Sequence, residues 1–126
     1  MIATIIGVVI DCPDPGELAP FYETLLGARR MREDPDWITL DAGPLTLSLQ
    51  RTRHFVAPDW RRGDPPQQLH LDLTVTDLDV GERQVIALGG SVLESSDKPI
   101  GYRVFADPVG HPFCLVTPEG MAEYVP

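Results

Sequence analysis

Two stretches alternate apolar and polar residues cleanly: Leu45-Thr46-Leu47-Ser48-Leu49-Gln50 and His70-Leu71-Asp72-Leu73-Thr74-Val75. That period of two predicts strands with one face turned to a core. Between and around them the period changes. Leu18, Phe21, Tyr22 and Leu25 fall at helical spacing behind Asp14-Pro15 and stop at Gly27, and Leu78, Val85 and Leu88 do so between Asp77 and Gly89-Gly90. Asp before the stripe, Pro at the first helical position and Gly after it are helix boundary signals. Pro20 inside the first stripe requires a late start near Gly16 or a kink, because it removes a backbone donor.

Further strands are expected at Thr4 to Ile10, Ala28 to Arg32, Trp37 to Leu40, Ser91 to Glu94, Tyr102 to Ala106 and Pro112 to Thr117. Asp107-Pro108-Val109-Gly110 supplies the turn before the last one. Setting Gly7 against His70 also superimposes Asp14 on Asp77 and the two Leu-Gly helix ends within one residue. The chain therefore reads as a duplication of strand, helix and three strands. The expected class is α+β, with two tandem βαβββ modules forming a curved mixed sheet that lines a cleft, helices packed outside. Module 1 covers about 1–51 and module 2 about 68–118. They flank a proline-bearing linker, 52–67, and precede a C-terminal tail, 119–126. A connection that long is often one that covers a site.

With 126 residues the chain can bury a real core as one domain of ordinary size. The net charge of −9 excludes the basic surface that a nucleic-acid partner needs. It favours a neutral or cationic small molecule over a polyanion, although acidic surfaces also serve plain solubility. No apolar run approaches the roughly 20 residues of a membrane span, and Met1 leads into a strand without a basic, leader-like start. Cys12 and Cys114 are the only cysteines, which points to reduced thiols and a cytoplasmic setting.

The order Asp14…Phe21-Tyr22…Leu25-Leu26-Gly27, His70-Leu71-Asp72-Leu73-Thr74-Val75…Asp77-Leu78-Asp79, Leu88-Gly89-Gly90 and Asp107-Pro108-Val109-Gly110 resembles the vicinal oxygen chelate superfamily. That superfamily includes glyoxalase I, bleomycin-resistance proteins and extradiol dioxygenases. The resemblance implies a homodimer and a cleft lined by paired units. In metal-dependent members, it implies four ligands on the first, fourth, fifth and last strands. Carried over, those positions fall on Gly7, on Ser48 or preferably Gln50, on His70 and on Cys114. Glycine offers no donor, so the expectation is a site without the usual metal centre and without a cofactor. If a divalent ion is present, Gln50 and His70 are its expected ligands.

Strand parity puts His70 with Asp72 and Thr74, and Cys114 with Pro112 and Val116, on what the resemblance makes the cleft side. His70 is then the candidate for hydrogen bonding or general-base catalysis. Trp37, Trp60 and Phe55 are candidate aromatic walls, Trp60 above all, because it stands in the irregular linker. Arg103 is a candidate for a ligand carboxylate or for a surface acid. Cys114 reads as a small buried hydrophobe before it reads as a nucleophile. His54 in the linker and His111 in the last turn carry no chemical signal. The two functions in contention are a small-organic-molecule binder and a metal-dependent lyase, isomerase or dioxygenase with unusual ligands.

Overall fold

The computed structural model describes residues 1–122, which fall into two compact units, Met1–Phe55 and the described part of Val56–Pro126. In the first, β1 (Gly7–Cys12), α1 (Pro15–Leu26), β2 (Arg29–Asp34), β3 (Trp37–Asp41) and β4 (Thr46–Arg51) build one sheet of order β1-β4-β3-β2. β1 runs parallel to β4, and the other pairs are antiparallel. α1 lies against β3 and β4. Ile10, Cys12, Ile38, Leu40, Leu47 and Leu49 bury one sheet face with Leu18, Ala19, Phe21 and Tyr22 of the helix. The Phe21 and Tyr22 rings meet edge to face, 5.0 Å between centroids.

α1 begins at Pro15, capped by the Asp14 carboxylate, which accepts from the Gly16 amide at 2.9 Å. It ends at Gly27 in the left-handed region, φ 60°. The helix runs through Pro20, whose ring sits on the exposed side, where water can serve the carbonyl left without a donor. β1 starts later than its apolar run and absorbs Asp11-Cys12 instead of turning there, because its parallel partner β4 continues to Arg51 and pairs with Cys12.

The second unit repeats the plan. β5 (Leu71–Thr74), α2 (Leu78–Ala87), β6 (Ser91–Glu94), β7 (Tyr102–Ala106) and β8 (Pro112–Val116) give the order β5-β8-β7-β6, with β5 parallel to β8. The Asp77 side chain caps α2 by accepting from Val80 at 3.0 Å. Gly81 lets α2 approach β8, since a Cβ there would meet Leu115 Cδ1 at 2.9 Å. Asp107 Oδ1 accepts from the amides of Val109, Gly110 and His111 at 3.0, 2.9 and 3.0 Å, which fixes the turn into β8. One element was not expected, the short α3 (Pro118–Met121) in the supposed tail. Thr117 caps it and also takes the Gly101 amide at 3.0 Å. The rest of that tail, 123–126, lies outside the described residues. Neither cysteine is in a disulfide. Among the described residues no helix is long and apolar enough to cross a membrane.

Candidate functional site

In the second unit, strand alternation splits the sheet. Leu71, Leu73, Phe105, Phe113 and Leu115 turn toward α2, the Phe105 and Phe113 rings stacking at 5.6 Å. The opposite row carries Asp72, Thr74, Tyr102, Val104, Cys114 and Val116. Parallel register sets Asp72 beside Cys114. His70, just ahead of β5, turns its Nε2 to Asp72 Oδ1 at 3.2 Å. His70, Asp72 and Cys114 thus converge, each offering a ligand atom, with all three atoms within 4.8 Å of one another.

The electrostatics decide what Cys114 can do. Burial first, then the Asp72 charge and a hydrogen bond to that carboxylate, then Glu94, push its thiol up to about 12. At neutral pH it is a neutral thiol, unsuited to nucleophilic attack. Asp72 is the hub, with the imidazole on one side and the sulfur on the other. His70 and Asp72 keep 37% and 44% of their side chains exposed, so the pair remains open to a ligand.

Beside this polar group the surface turns apolar. Val104, Cys114 and Val116 form a buried cluster against which Trp60, Leu93 and Met121 pack. The segment carrying Trp60 belongs to this unit. With Leu93 and Ala106 it lines a cavity of about 520 Å³. A Cβ at Gly110 would meet the Ala57 methyl at 2.7 Å, so the turn before β8 seats that segment closely.

The remaining expected site residues fall elsewhere. Trp37, Ser48 and Gln50 share a face of the first unit's sheet. Trp37 Nε1 donates to Thr39 Oγ1 at 2.7 Å, Thr39 and Ser48 hydroxyls stand 3.0 Å apart, and Arg32 lies over the indole at 5.8 Å. Trp37 and Ser48 therefore spend their polar atoms on the strands themselves, while Gln50 is exposed. Arg103 does not share the Asp72 row. Parity puts it on the α2 side, 3% exposed, where it pairs with Asp79 at 2.8 Å and Glu82 at 3.5 Å and donates to the Leu78 carbonyl. It is a structural cation. As a metal-ligand candidate, Asp72 was missed. Its place two residues after His70 was the available signal, but only the β5–β8 register brings it to Cys114.

The sequence of residues 7–116 matches the model of the family described as a glyoxalase-like domain. No curated protein matches the chain. Solved structures share its fold. The fosfomycin resistance protein FosX of Mesorhizobium loti is 15% identical, covers 99% of this chain and 100% of its own, and superposes with a TM-score of 0.76. FosX of Listeria monocytogenes is 14% identical over 100% and 99%, TM-score 0.74. A glyoxalase/bleomycin resistance protein/dioxygenase family enzyme of Burkholderia phytofirmans is 16% identical over 91% and 98%, TM-score 0.72. With a family model spanning most of its length and this fold, the chain belongs to the glyoxalase-like domain family of the vicinal oxygen chelate superfamily.

Proposed function

We propose that the protein binds a small organic molecule, neutral or cationic, on the polar face of the second unit's sheet, without its relatives' usual metal centre. The observation that carries this reading is the half-exposed His70–Asp72 pair, 3.2 Å apart, at the border of the apolar patch under Trp60. Few polar anchors beside an apolar wall is the common make-up of small-molecule sites. Donating Nε2–H to Asp72 leaves His70 Nδ1 as an acceptor, and the carboxylate keeps further lone pairs. A ligand ammonium, amide or hydroxyl meets both, while its hydrocarbon part covers the Trp60 side.

The residues at the superfamily's ligand positions do not suit the usual ion. Gly7 brings no donor, and a Cβ there would collide with Thr46 Oγ1 and stand 2.9 Å from the Thr46 carbonyl oxygen. Gln50 is uncharged, and Cys114 offers sulfur where a carboxylate is expected. One observation favours a second reading, a lyase, isomerase or dioxygenase with non-standard ligands: the convergence of His70, Asp72 and Cys114. The protein is further taken to act as a homodimer in the cytoplasm. The edge strand β1, with Val9 exposed in it and Ile5 and Ile6 exposed just before it, supports the pairing, and a monomer mass by light scattering would count against it.

The test is thermal denaturation of chelator-treated protein against cationic, neutral and anionic small molecules. A true ligand at a hundredfold excess over its Kd adds about 2.7 kcal/mol of stability. Asp72→Asn and His70→Ala should remove most of that gain. A panel-wide absence of stabilisation, or a gain indifferent to both substitutions, overturns the reading.

A further inference from the structure

We infer that the cavity between the β6–β7 loop and α3 binds a basic α-amino acid, a ligand that carries one carboxylate and two cationic groups. This site is separate from the His70–Asp72 pair and does not depend on it. Register places Asp72, Cys114, Val104 and Glu94 in one cross-strand row over β5, β8, β7 and β6. Three strand spacings of roughly 4.8 Å put the Glu94 backbone about 14 Å from that of Asp72. Glu94, Lys98, Ile100, Tyr102 and Glu119 line the cavity, which holds about 360 Å³. That is the small end of the range for small-molecule sites, about 300–1,000 Å³. Two carboxylates against one ammonium leave the lining at −1. A basic amino acid at neutral pH is the complement of that set. Lys98 takes its carboxylate, Glu94 and Glu119 take its two cations, and its methylenes lie along Ile100 and Tyr102, which are 54% and 44% exposed.

The backbone around this cavity is pinned, so its shape precedes any ligand. Arg103 donates from Nη2 to the Lys98 carbonyl at 3.3 Å, and the Ser95 hydroxyl donates to Glu82 at 3.0 Å. Gly101 is tied twice to Thr117, its amide donating to Oγ1 at 3.0 Å and its carbonyl accepting from the Thr117 amide at 2.9 Å. α3 then packs so closely that a Cβ at Gly120 would stand 2.6 Å from the Gly101 carbonyl oxygen. The charged groups on this fixed rim are uncommitted. Arg29, Arg30, Arg32, Arg51 and Arg103 each have an acid partner. Lys98 is the chain's single lysine, and among the described residues neither its ammonium nor the Glu94 and Glu119 carboxylates stand in an ion pair. A fixed backbone carrying unpaired charges of both signs favours a ligand that satisfies all three at once.

The experiment is titration of the full chain with L-lysine, read by backbone amide NMR shifts. We expect saturable shifts at Gly101, Tyr102 and Gly120. Cadaverine, which lacks the carboxylate, and L-norleucine, which lacks the side-chain cation, should each bind severalfold more weakly, the measure of one partly exposed ion pair. Lys98→Met should bring L-lysine down to the level of cadaverine without weakening cadaverine itself. Glu94→Gln and Glu119→Gln should each weaken L-lysine severalfold. All three positions are exposed, and native circular dichroism confirms that the variants fold. Asp72→Asn and His70→Ala should leave these shifts and affinities unchanged. Absence of saturation by about 10 mM, an affinity corresponding to less than about 3 kcal/mol, overturns the inference. So does equal binding of L-lysine and cadaverine by the wild-type protein. Loss of L-lysine binding on Asp72→Asn but not on Lys98→Met also overturns it, and makes the amino acid a ligand of the His70–Asp72 face instead.

Discussion

Cys114 is buried, sits opposite Asp72 and shares its hydrogen bond, three conditions that all favour the proton over the charge. In metal-free protein its folded value of about 12 lies above the ordinary 9.0. The native state therefore holds this proton more tightly than the unfolded chain. The stabilisation is complete below about pH 9 and is lost as pH rises toward 12. Chemical denaturation at rising alkaline pH should show wild type losing stability faster than Cys114→Ala, and thiol reagents at neutral pH should leave this sulfur unmodified until the fold opens. Equal alkaline slopes for the two proteins would deny Asp72 and burial their effect. Gly7 makes a second residue-scale case. Gly7→Ala should cost about 1–3 kcal/mol by thermal melt, because the new methyl meets Thr46, and Thr46→Ala in the same chain should return part of it. The empty position at residue 7 was legible from the letter alone. The clash that keeps it empty was not, since it depends on the Gly7–Thr46 register across 38 intervening residues.

Elements were legible in proportion to how local their signals are. Asp14-Pro15 with Gly27, and Asp77 with Gly89, mark both long helices in sequence, and both caps form as read. Strand ends depend on partners far along the chain, and β1 shifted toward Cys12 for that reason. α3 escaped because four residues carry no periodicity, and its cap on Thr117 is shared with Gly101. Arg103 was ambiguous between two strand faces until β7 was paired with β8, and its ion pairs now define the joint between α2 and β7. Its Nε has no partner among the described residues, so the acids and backbone carbonyls around its other nitrogens compensate the buried charge. Replacing Asp79 by Asn and Glu82 by Gln together leaves that cation underpaired. About 2–3 kcal/mol should be lost in denaturant unfolding, less than for a fully buried pair because Asp79 is 65% exposed. Ligand affinity at the Asp72 face should stay unchanged, since Arg103 points to the other side of the sheet. A matching loss of affinity would move Arg103 into the site.

At the scale of the whole molecule the two units repeat one strand order, yet their equivalent positions have diverged. The places of His70, Asp72 and Cys114 in the second unit correspond to Gly7, Val9 and Ser48 in the first, by the same parallel register. Duplication supplied the scaffold twice and the donors once, which limits the expected stoichiometry at these residues to one ligand or ion per chain. The charge acts on a wider scale. With −9 spread over 126 residues, the chain attracts cations over the screening length of the solvent, about 30 Å at 0.01 M salt and about 8 Å at 0.15 M. A monocationic ligand should therefore associate severalfold faster at the lower salt, while its neutral isostere keeps one rate at both. Dissociation should change little, because leaving depends on short contacts to Asp72 and the Trp60 wall, which salt screens weakly. Stopped-flow tryptophan fluorescence over that range separates the two rates. If the cationic and neutral ligands show the same salt response, the acidic surface serves solubility alone and the preference for a cation must come from Asp72.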